Sequence, residues 1–269
     1  MACVCSSIYS EFTCVTAICR GVLKMRADEF LKMRALDETH WWFQGRRRLL
    51  RNLVGKLKLR DALILDAGGG TGFARDELGK AGTVIGLDAS PEAFALASDG
   101  AGCMALIERA PFKDAAFDLI VALDLLEHLE DDERALREIY RICKPGGYLF
   151  VTVPAYQWAW SRHDEALGHR RRYSAADLAE KVRRAGFTLR RLSYTVTTIF
   201  LPAMAYRLVR RRSGHGSDLF PVPEPANSLL GALIKLESRL VWNVNFPFGL
   251  TVLLLAYREQ NGRHGETNE

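Results

Sequence analysis

An aspartate followed by glycine at every second position, Asp66-Ala67-Gly68-Gly69-Gly70-Thr71-Gly72, is the segment of this chain best fitted to hold a ligand. It follows the apolar residues Leu63 to Leu65, so it reads as a buried strand breaking into a tight turn, with a helix from Phe73 onward. Glycine lets the backbone approach a ligand closely, and a following helix offers free N–H groups at its positive end. Dinucleotides and S-adenosylmethionine both use such turns. The dinucleotide pattern G-x-G-x-x-G, started at Gly68, finds Gly70 and then Phe73 where a small residue is required, and fails there. An acid two residues before the first glycine suits a cationic amino-acid ligand, whose ammonium group it can accept from, or the turn's own amides. Asp88 closes the next apolar run, Thr83 to Leu87, at the separation from which one carboxylate takes both hydroxyls of a ribose. The cofactor-binding candidates are therefore Asp66, Gly68, Gly70, Gly72, Asp88 and its neighbour Ala89, together with Leu123 at the end of a later strand.

A second group of polar residues follows two later strands. Asp124, Glu127 and His128 come after Phe117–Leu123, and His163, Asp164, His169, Arg171 and Tyr173 come after Tyr148–Val153. The ends of these strands face the same side of a parallel sheet as the glycine turn. His128 is read either as a general base with a pKa near the working pH or as an orderer of the strand-helix junction. His163, Asp164 and His169 join it as catalytic candidates. HDEALGHRRRY, residues 163–173, is either a solvated basic loop or a loop that receives an anionic or sugar-like acceptor, with Arg171 and Tyr173 as its substrate-binding residues.

The elements that must position these groups alternate. After the turn come a strand at 83–87, a helix opened by Ser90-Pro91-Glu92, a third strand at 104–107 and a fourth at 117–123. A helix follows at 132–142 and ends at Pro145-Gly146-Gly147, then a fifth strand at 148–153. Ser174-Ala175-Ala176-Asp177 resembles a capping box before a helix that Gly186 ends, and a sixth strand covers 187–194. A last strand at 250–257 makes seven. This order predicts an α/β fold with a doubly wound, mostly parallel, seven-stranded Rossmann-like sheet, an N-terminal helical cap and an insertion before the last strand.

The 269 residues, 48% hydrophobic and 26% charged, suffice for one substantial core and exclude a disordered or fibrous chain. The formal charge of +5 is modest, with arginines at 46–48 and 51, 170–172 and 210–212. Cys3, Cys5, Cys14 and Cys19 crowd the first 20 residues, which argues against a disulfide framework, and their spacing lacks the paired C-x2-C form of a zinc site. Residues 1–24 fail as a signal peptide, because no basic region precedes the apolar stretch, and read as an extension. The uncharged segment Leu240 to Tyr257 is broken by Asn243, Asn245, Pro247 and Gly249 and reads as a loop feeding a strand rather than a membrane span. The expected organisation is an extension (1–24), a helical cap (25–60), a main domain (61–259) with an insertion at 196–245, and a disordered tail (260–269).

At these positions the chain resembles the class I S-adenosylmethionine-dependent methyltransferases. The resemblance runs from about Trp41 to Arg258. It rests on Asp66 to Gly72, on Gly86-Leu87-Asp88, on Ala110-Pro111-Phe112 with Phe117 to Ile120, on Leu126-Glu127-His128-Leu129, and on Lys144-Pro145-Gly146-Gly147. The flanks His40 to Arg47 and His163 to Tyr173 resemble a bacterial subgroup acting on small molecules, lipids or glycans. The resemblance implies S-adenosyl-L-methionine as cofactor, with Arg46 or Arg47 on its carboxylate. Many relatives place an aspartate before the Pro-Phe turn for the adenine amino group, where this chain has Leu106. Backbone amides of Leu106 and Ile107, helped by Glu108, are the expected substitute. The likeness to quinone-ring O-methyltransferases raises Mg2+ at Asp124, Glu127 and His128, but carboxylates there are more often structural and no metal is assigned.

The implied function is methyl transfer, to an oxygen, on a small or lipid-linked acceptor such as a quinone, a polyprenyl compound or a glycan. The alternative is a cofactor-binding module that keeps the fold without turnover. Nucleic acid is not expected as a partner, since the basic groups are scattered and no Asn-Pro-Pro-Tyr-like motif follows the fourth strand. The insertion, with apolar and basic blocks, reads either as an acceptor pocket and membrane-surface contact or as a plain helical lid. A cytoplasmic location is expected, with contact at the inner face of the membrane as an option.

Overall fold

A computed structural model describes residues 27–96, 101–210 and 221–260. Seven strands form one sheet: β1 (Ala62–Ala67), β2 (Gly82–Asp88), β3 (Gly102–Met104), β4 (Phe117–Leu123), β5 (Cys143–Pro154), β6 (Thr188–Thr195) and β7 (Thr251–Tyr257). Their order is β3-β2-β1-β4-β5-β7-β6. The first five run parallel, and β7 lies antiparallel between β5 and β6. The chain reverses direction across the sheet between β1 and β4, so ligands are expected at the carboxyl ends of these two strands.

The central strands are apolar on both faces because both faces are covered. One face packs Leu65, Leu87, Ile120 and Ala122 against Leu136 and Ile139 of helix Asp132–Ile142. The other packs Ile64, Leu119, Val121 and Phe150 against Leu49, Leu50 and Leu53 of helix Trp41–Leu57. Nine α-helices are described: α1 (Ala27–Leu36), α2 (Trp41–Leu57), α3 (Arg75–Leu78), α4 (Pro91–Leu96), α5 (Asp132–Ile142), α6 (Arg162–Leu167), α7 (Ala175–Arg184), α8 (Phe200–Arg210) and α9 (Glu224–Leu240).

Three expectations are corrected. The helix after the glycine turn is a single turn, α3, which Gly79 ends, because the chain must re-enter the sheet at Gly82. The third strand lies at 102–104 rather than 104–107, and Ile107–Arg109 is a 3-10 turn, as β3 ends the sheet and among the described residues pairs with β2 alone. β5 begins at Cys143, directly after α5, so Lys144 to Gly147 sit in the strand's irregular first half.

The cap and the insertion are one layer. Gly45 of α2 faces Ile234 of α9 so closely that a Cβ at Gly45 would collide with the isoleucine. Around that contact Asn52 donates to the Ser238 carbonyl (2.8 Å), the Trp41 amide donates to Asn227 Oδ1 (2.9 Å), and Asn227 donates to the Thr39 carbonyl (2.9 Å). Buried Glu237 on α9 accepts from Thr195, Thr197 and Thr198, tying the insertion to the end of β6. Residues 241–257 resolve into a loop and β7, and no helix among the described residues is long and apolar enough to cross a membrane. Cys103 and Cys143 are buried. The extension 1–24 with its four cysteines, Arg211 and Arg212, and residues 261–269 of the tail lie outside the described residues.

Candidate functional site

At the carboxyl ends of β1, β2 and β4 lies a cavity of about 470 Å3. Its floor is the glycine turn, Gly68, Gly69 and Gly70, with Leu87, Asp88 and Ala89 from β2. Leu106, Ile107 and Glu108 form one side and Leu123, Asp124, Glu127 and His128 another. Trp41, Trp42, Phe43 and Arg46 from the cap and Ile199, Pro202 and Leu230 from the insertion cover it.

The turn is built for close approach more than for donating hydrogen bonds. Gly68, Gly70 and Gly72 all have positive φ (71°, 52° and 79°), which glycine alone adopts at little cost. A Cβ on Gly70 would meet nothing nearer than a carbonyl oxygen at 3.9 Å, so that position opens into the cavity. The expected free amides are largely spent inside the turn: Gly68 and Gly69 donate to the Leu87 carbonyl, Gly70 to Asp88 Oδ2 (2.9 Å) and Gly72 to the Gly69 carbonyl. Asp88 Oδ1 accepts from the Ser90 amide (2.8 Å), which fixes the carboxylate at the cavity wall. Burial raises the Asp88 pKa, and the amides of Ser90 and Gly70 oppose the rise.

Two further acids each have a buried carboxyl oxygen without a donor. Asp66, beneath the wall rather than in it, is buried, its Oδ2 has no hydrogen-bond partner, and burial pushes its pKa to about 7. Glu108 lines the cavity with a buried, partnerless Oε2, and burial raises its pKa too. Buried polar atoms are nearly always satisfied, so such orphans at a cavity point to a ligand that supplies the donor. Gly72 does not reach the cavity and serves the turn.

The polar residues beyond β4 and β5 meet on the far side. Asp124 sits at φ 51° just past β4 and ion-pairs with Arg46, whose Nη1 also donates to Thr152 Oγ1 (2.5 Å). Arg46 stacks over Trp42 as well (4.8 Å), so it is engaged within the protein as a wall of the cavity. The chain then turns through Leu126–His128, and Glu127 enters the interior fully buried with neither carboxyl oxygen hydrogen-bonded. Burial and the neighbouring Asp124 charge raise the Glu127 pKa well above the usual range. His128 is also enclosed: burial first, then His169, lower its pKa to about 3, while its ring bonds the Gly168 backbone. The expectation of an imidazole titrating near the working pH is overturned by that burial, and His128 is neutral at neutral pH.

The loop 163–173 divides. Gly168 in the left-handed region (φ 73°) caps α6 and turns His169 back onto its own helix. Its Nδ1 lies 2.9 Å from Asp164 Oδ1, and since an ionised carboxylate only accepts, Nδ1 carries the proton and Nε2 is left facing Glu127 Oε1 at 4.0 Å. Asp164 caps α6 and takes a bidentate Arg172 (2.7 and 2.9 Å). Burial opposes its ionisation, but the bonds from His169 and Arg172 hold it well below the ordinary carboxylate range. Asp164 therefore lies behind the cavity as a positioning residue, which corrects the catalytic expectation. His163, His169 and Arg172 reach the cavity.

Arg171 and Tyr173, expected to bind substrate, do not line it. Tyr173 is 2% exposed and donates its hydroxyl proton to Asp132 Oδ2 (2.7 Å), with the Leu126 carbonyl 3.2 Å away, and Arg171 donates to the Leu129 and Glu130 carbonyls. Both brace the 126–132 turn, because α5 packs where the loop was expected to meet solvent. Sequence reasoning missed Arg172 and the grouping of Glu127 with His169. The only sequence signal for either is their place after parallel strands.

Residues 65–151 match the family described as "Methyltransferase domain". A probable S-adenosylmethionine-dependent methyltransferase of Mycolicibacterium smegmatis is 30% identical over 159 residues, which are 56% of this chain and 61% of that one. A ubiquinone biosynthesis O-methyltransferase of Coxiella burnetii is 30% identical over 113 residues, 39% of this chain and 48% of that one. The chain thus spans about half to three-fifths of the length of these curated relatives. In fold it is similar to the putative methyltransferase bound to the Trm112 activator in a Haloferax volcanii complex, with a TM-score of 0.61 at 21% identity over 91% of this chain and 100% of that one. A sheet reversing at a glycine turn, an acid closing β2 and these matches agree: residues 65–151 match a methyltransferase domain, and the chain is similar to S-adenosylmethionine-dependent methyltransferases in sequence and fold.

Proposed function

We propose that the protein transfers a methyl group from S-adenosyl-L-methionine to an oxygen of a small or lipid-linked acceptor. One observation carries the reading: a glycine turn, a ribose-spaced aspartate and the partnerless buried Oε2 of Glu108 line one cavity, with the partnerless Oδ2 of Asp66 beneath its wall. Bound there, the cofactor supplies an electrophilic methyl on a sulfonium, and an in-line displacement asks the protein mainly for alignment. Asp66, with Oδ2 unbonded, fits the ammonium group, and Asp88, already fixed by two amides, keeps lone pairs for the ribose hydroxyls. Glu108, with its partnerless Oε2 on the cavity wall beside Leu106 and Ile107, supports an acceptor for the adenine amino group in place of the aspartate missing at Leu106. Ala89 and Leu123 give apolar walls. Arg46 is close enough to share its charge with a carboxylate while keeping Asp124.

The acceptor enters on the side of His128, His163 and His169, under the aromatic cover of Trp41, Trp42 and Phe43. A largely apolar cover with a polar end suits a hydroxylated ring or the head of a polyprenyl compound. Exposed Trp158, Leu201 and Phe248 support contact with the membrane surface that would deliver such an acceptor. The distant likeness to demethylmenaquinone and ubiquinone-biosynthesis methyltransferases points the same way. The test incubates the full chain with methyl-labelled cofactor and three acceptor classes: ring-hydroxylated quinone precursors, polyprenyl compounds and glycans. Label is expected in the quinone or polyprenyl fraction. Cofactor binding with no label in any fraction would favour the module without turnover.

A further inference from the structure

Glu127, His128 and His169 each offer one ligand atom, and these three atoms lie within 4.8 Å of one another. We propose that they form a binding site for a divalent first-row transition-metal ion on the acceptor side of the cavity. This departs from the sequence reading, which assigned no metal and considered only Asp124 with Glu127 and His128; in the structure Asp124 is taken by Arg46, and His169 replaces it.

Three independent features point to a ligand here. Glu127 is 0% exposed and neither oxygen has a hydrogen-bond partner, an arrangement that burial penalises unless something else is bound. Both imidazoles are already held from the protein side in the way that metal-ligating histidines are: Asp164 holds Nδ1 of His169, and the Gly168 backbone bonds the ring of His128. Asp164 is in turn fixed by bidentate Arg172, so His169 is aimed with Nε2 toward Glu127. Third, the group faces the cavity rather than the core, which leaves coordination positions open to a ligand oxygen.

Two nitrogens and one carboxylate select Mn2+, Fe2+, Co2+ or Zn2+ over Mg2+, which prefers oxygen ligands. Such an ion would give an acceptor hydroxyl a place to bind and a Lewis acid beside it. That use rests on the methyl-transfer reading, whereas the metal site does not. His163, whose ring is 6.2 Å from His169, stands at the edge of the group.

The test strips the full chain with chelator and titrates it with Mn2+, followed by electron paramagnetic resonance. Mn2+ is chosen because the thiolates of Cys3, Cys5, Cys14 and Cys19 favour softer ions. One Mn2+ per chain is expected, with spin-echo modulation from two imidazole nitrogens, and excess Mg2+ should not displace it. Glu127→Gln and His169→Ala should weaken Mn2+ at least tenfold. Glu127→Gln should leave the melting temperature of the metal-free protein unchanged or higher, since an amide is less costly to bury than an acid, and should abolish the rise that Mn2+ gives the wild type. Absence of bound Mn2+, bound Mn2+ without nitrogen modulation, or equal affinity in the variants would overturn the site. Binding of S-adenosylhomocysteine, measured alongside, separates this failure from failure of the methyltransferase reading. If either variant does not fold, the nitrogen modulation of the wild type decides.

Discussion

Asparagine at position 66 keeps the shape of the side chain and removes its titration. In the folded protein burial lifts the Asp66 pKa from 3.8 to about 7, aided by the charge of Asp88 and opposed by Arg75. The folded state therefore holds the proton more tightly than the unfolded chain. The stability this gives is complete below about pH 4 and is lost as pH rises through 7. A difference of about 3 pH units at about 1.4 kcal/mol each makes the ionised carboxylate a burden of about 4 kcal/mol at pH 8. Asp66→Asn carries no such burden. The unfolding free energy of the variant minus that of wild type should climb between pH 4 and 7, by up to about 1.4 kcal/mol per unit, and level off above. Urea unfolding followed by tryptophan fluorescence at pH 5, 6, 7 and 8, without cofactor, gives the difference directly. Parallel stability curves for the two proteins would refute the reasoning and mean that Oδ2 has a donor after all. The same substitution should weaken S-adenosylhomocysteine binding, because the ammonium group then faces a neutral amide.

Other changes separate the roles given to neighbouring residues. Asp88→Ala removes an acceptor shared by two backbone amides and the proposed ribose, and should weaken S-adenosylhomocysteine by about 1–3 kcal/mol in calorimetry. Tyr173→Phe should lower stability by about 1–2 kcal/mol through the lost bond to Asp132 while leaving the acceptor KM unchanged; a raised KM would restore its substrate role. Gly45→Ala should destabilise by about 1–3 kcal/mol, and Ile234→Ala in the same chain should recover part of that in a double-mutant cycle.

What the sequence made legible and what it hid divide along local and tertiary causes. β4 at 117–123 and α5 at 132–142 fall where periodicity put them, since each has a continuous apolar run or stripe and α5 opens on an Asp131 cap. The Ser174–Asp177 capping box is present with both bonds, because it needs only four residues in a row. The one-turn α3 was not legible: Arg75 to Leu78 reads as the start of a longer helix until the re-entry at Gly82 is known. In the site, the glycine turn and Asp88 close two adjacent strands, as the apolar runs before them implied, while the bond from the Gly70 amide to Asp88 depends on the strands' pairing and had no sequence signal. The approach of His169 to Glu127 spans 42 residues and depends on the left-handed Gly168 and on Arg172 holding Asp164, so no spacing rule announces it. Tyr173 was misassigned for the mirror reason, a polar residue in a basic stretch that α5 happens to bury.

Isothermal titration of the full chain with S-adenosylhomocysteine tests the central claim most directly. The structure's turn, Asp88 and orphaned acids predict one site per chain, weakened in Asp88→Ala and blocked when Gly70 carries a side chain that fills the cavity floor. Absence of binding to the folded wild-type protein, or equal binding to Gly70→Val and wild type, would contradict it.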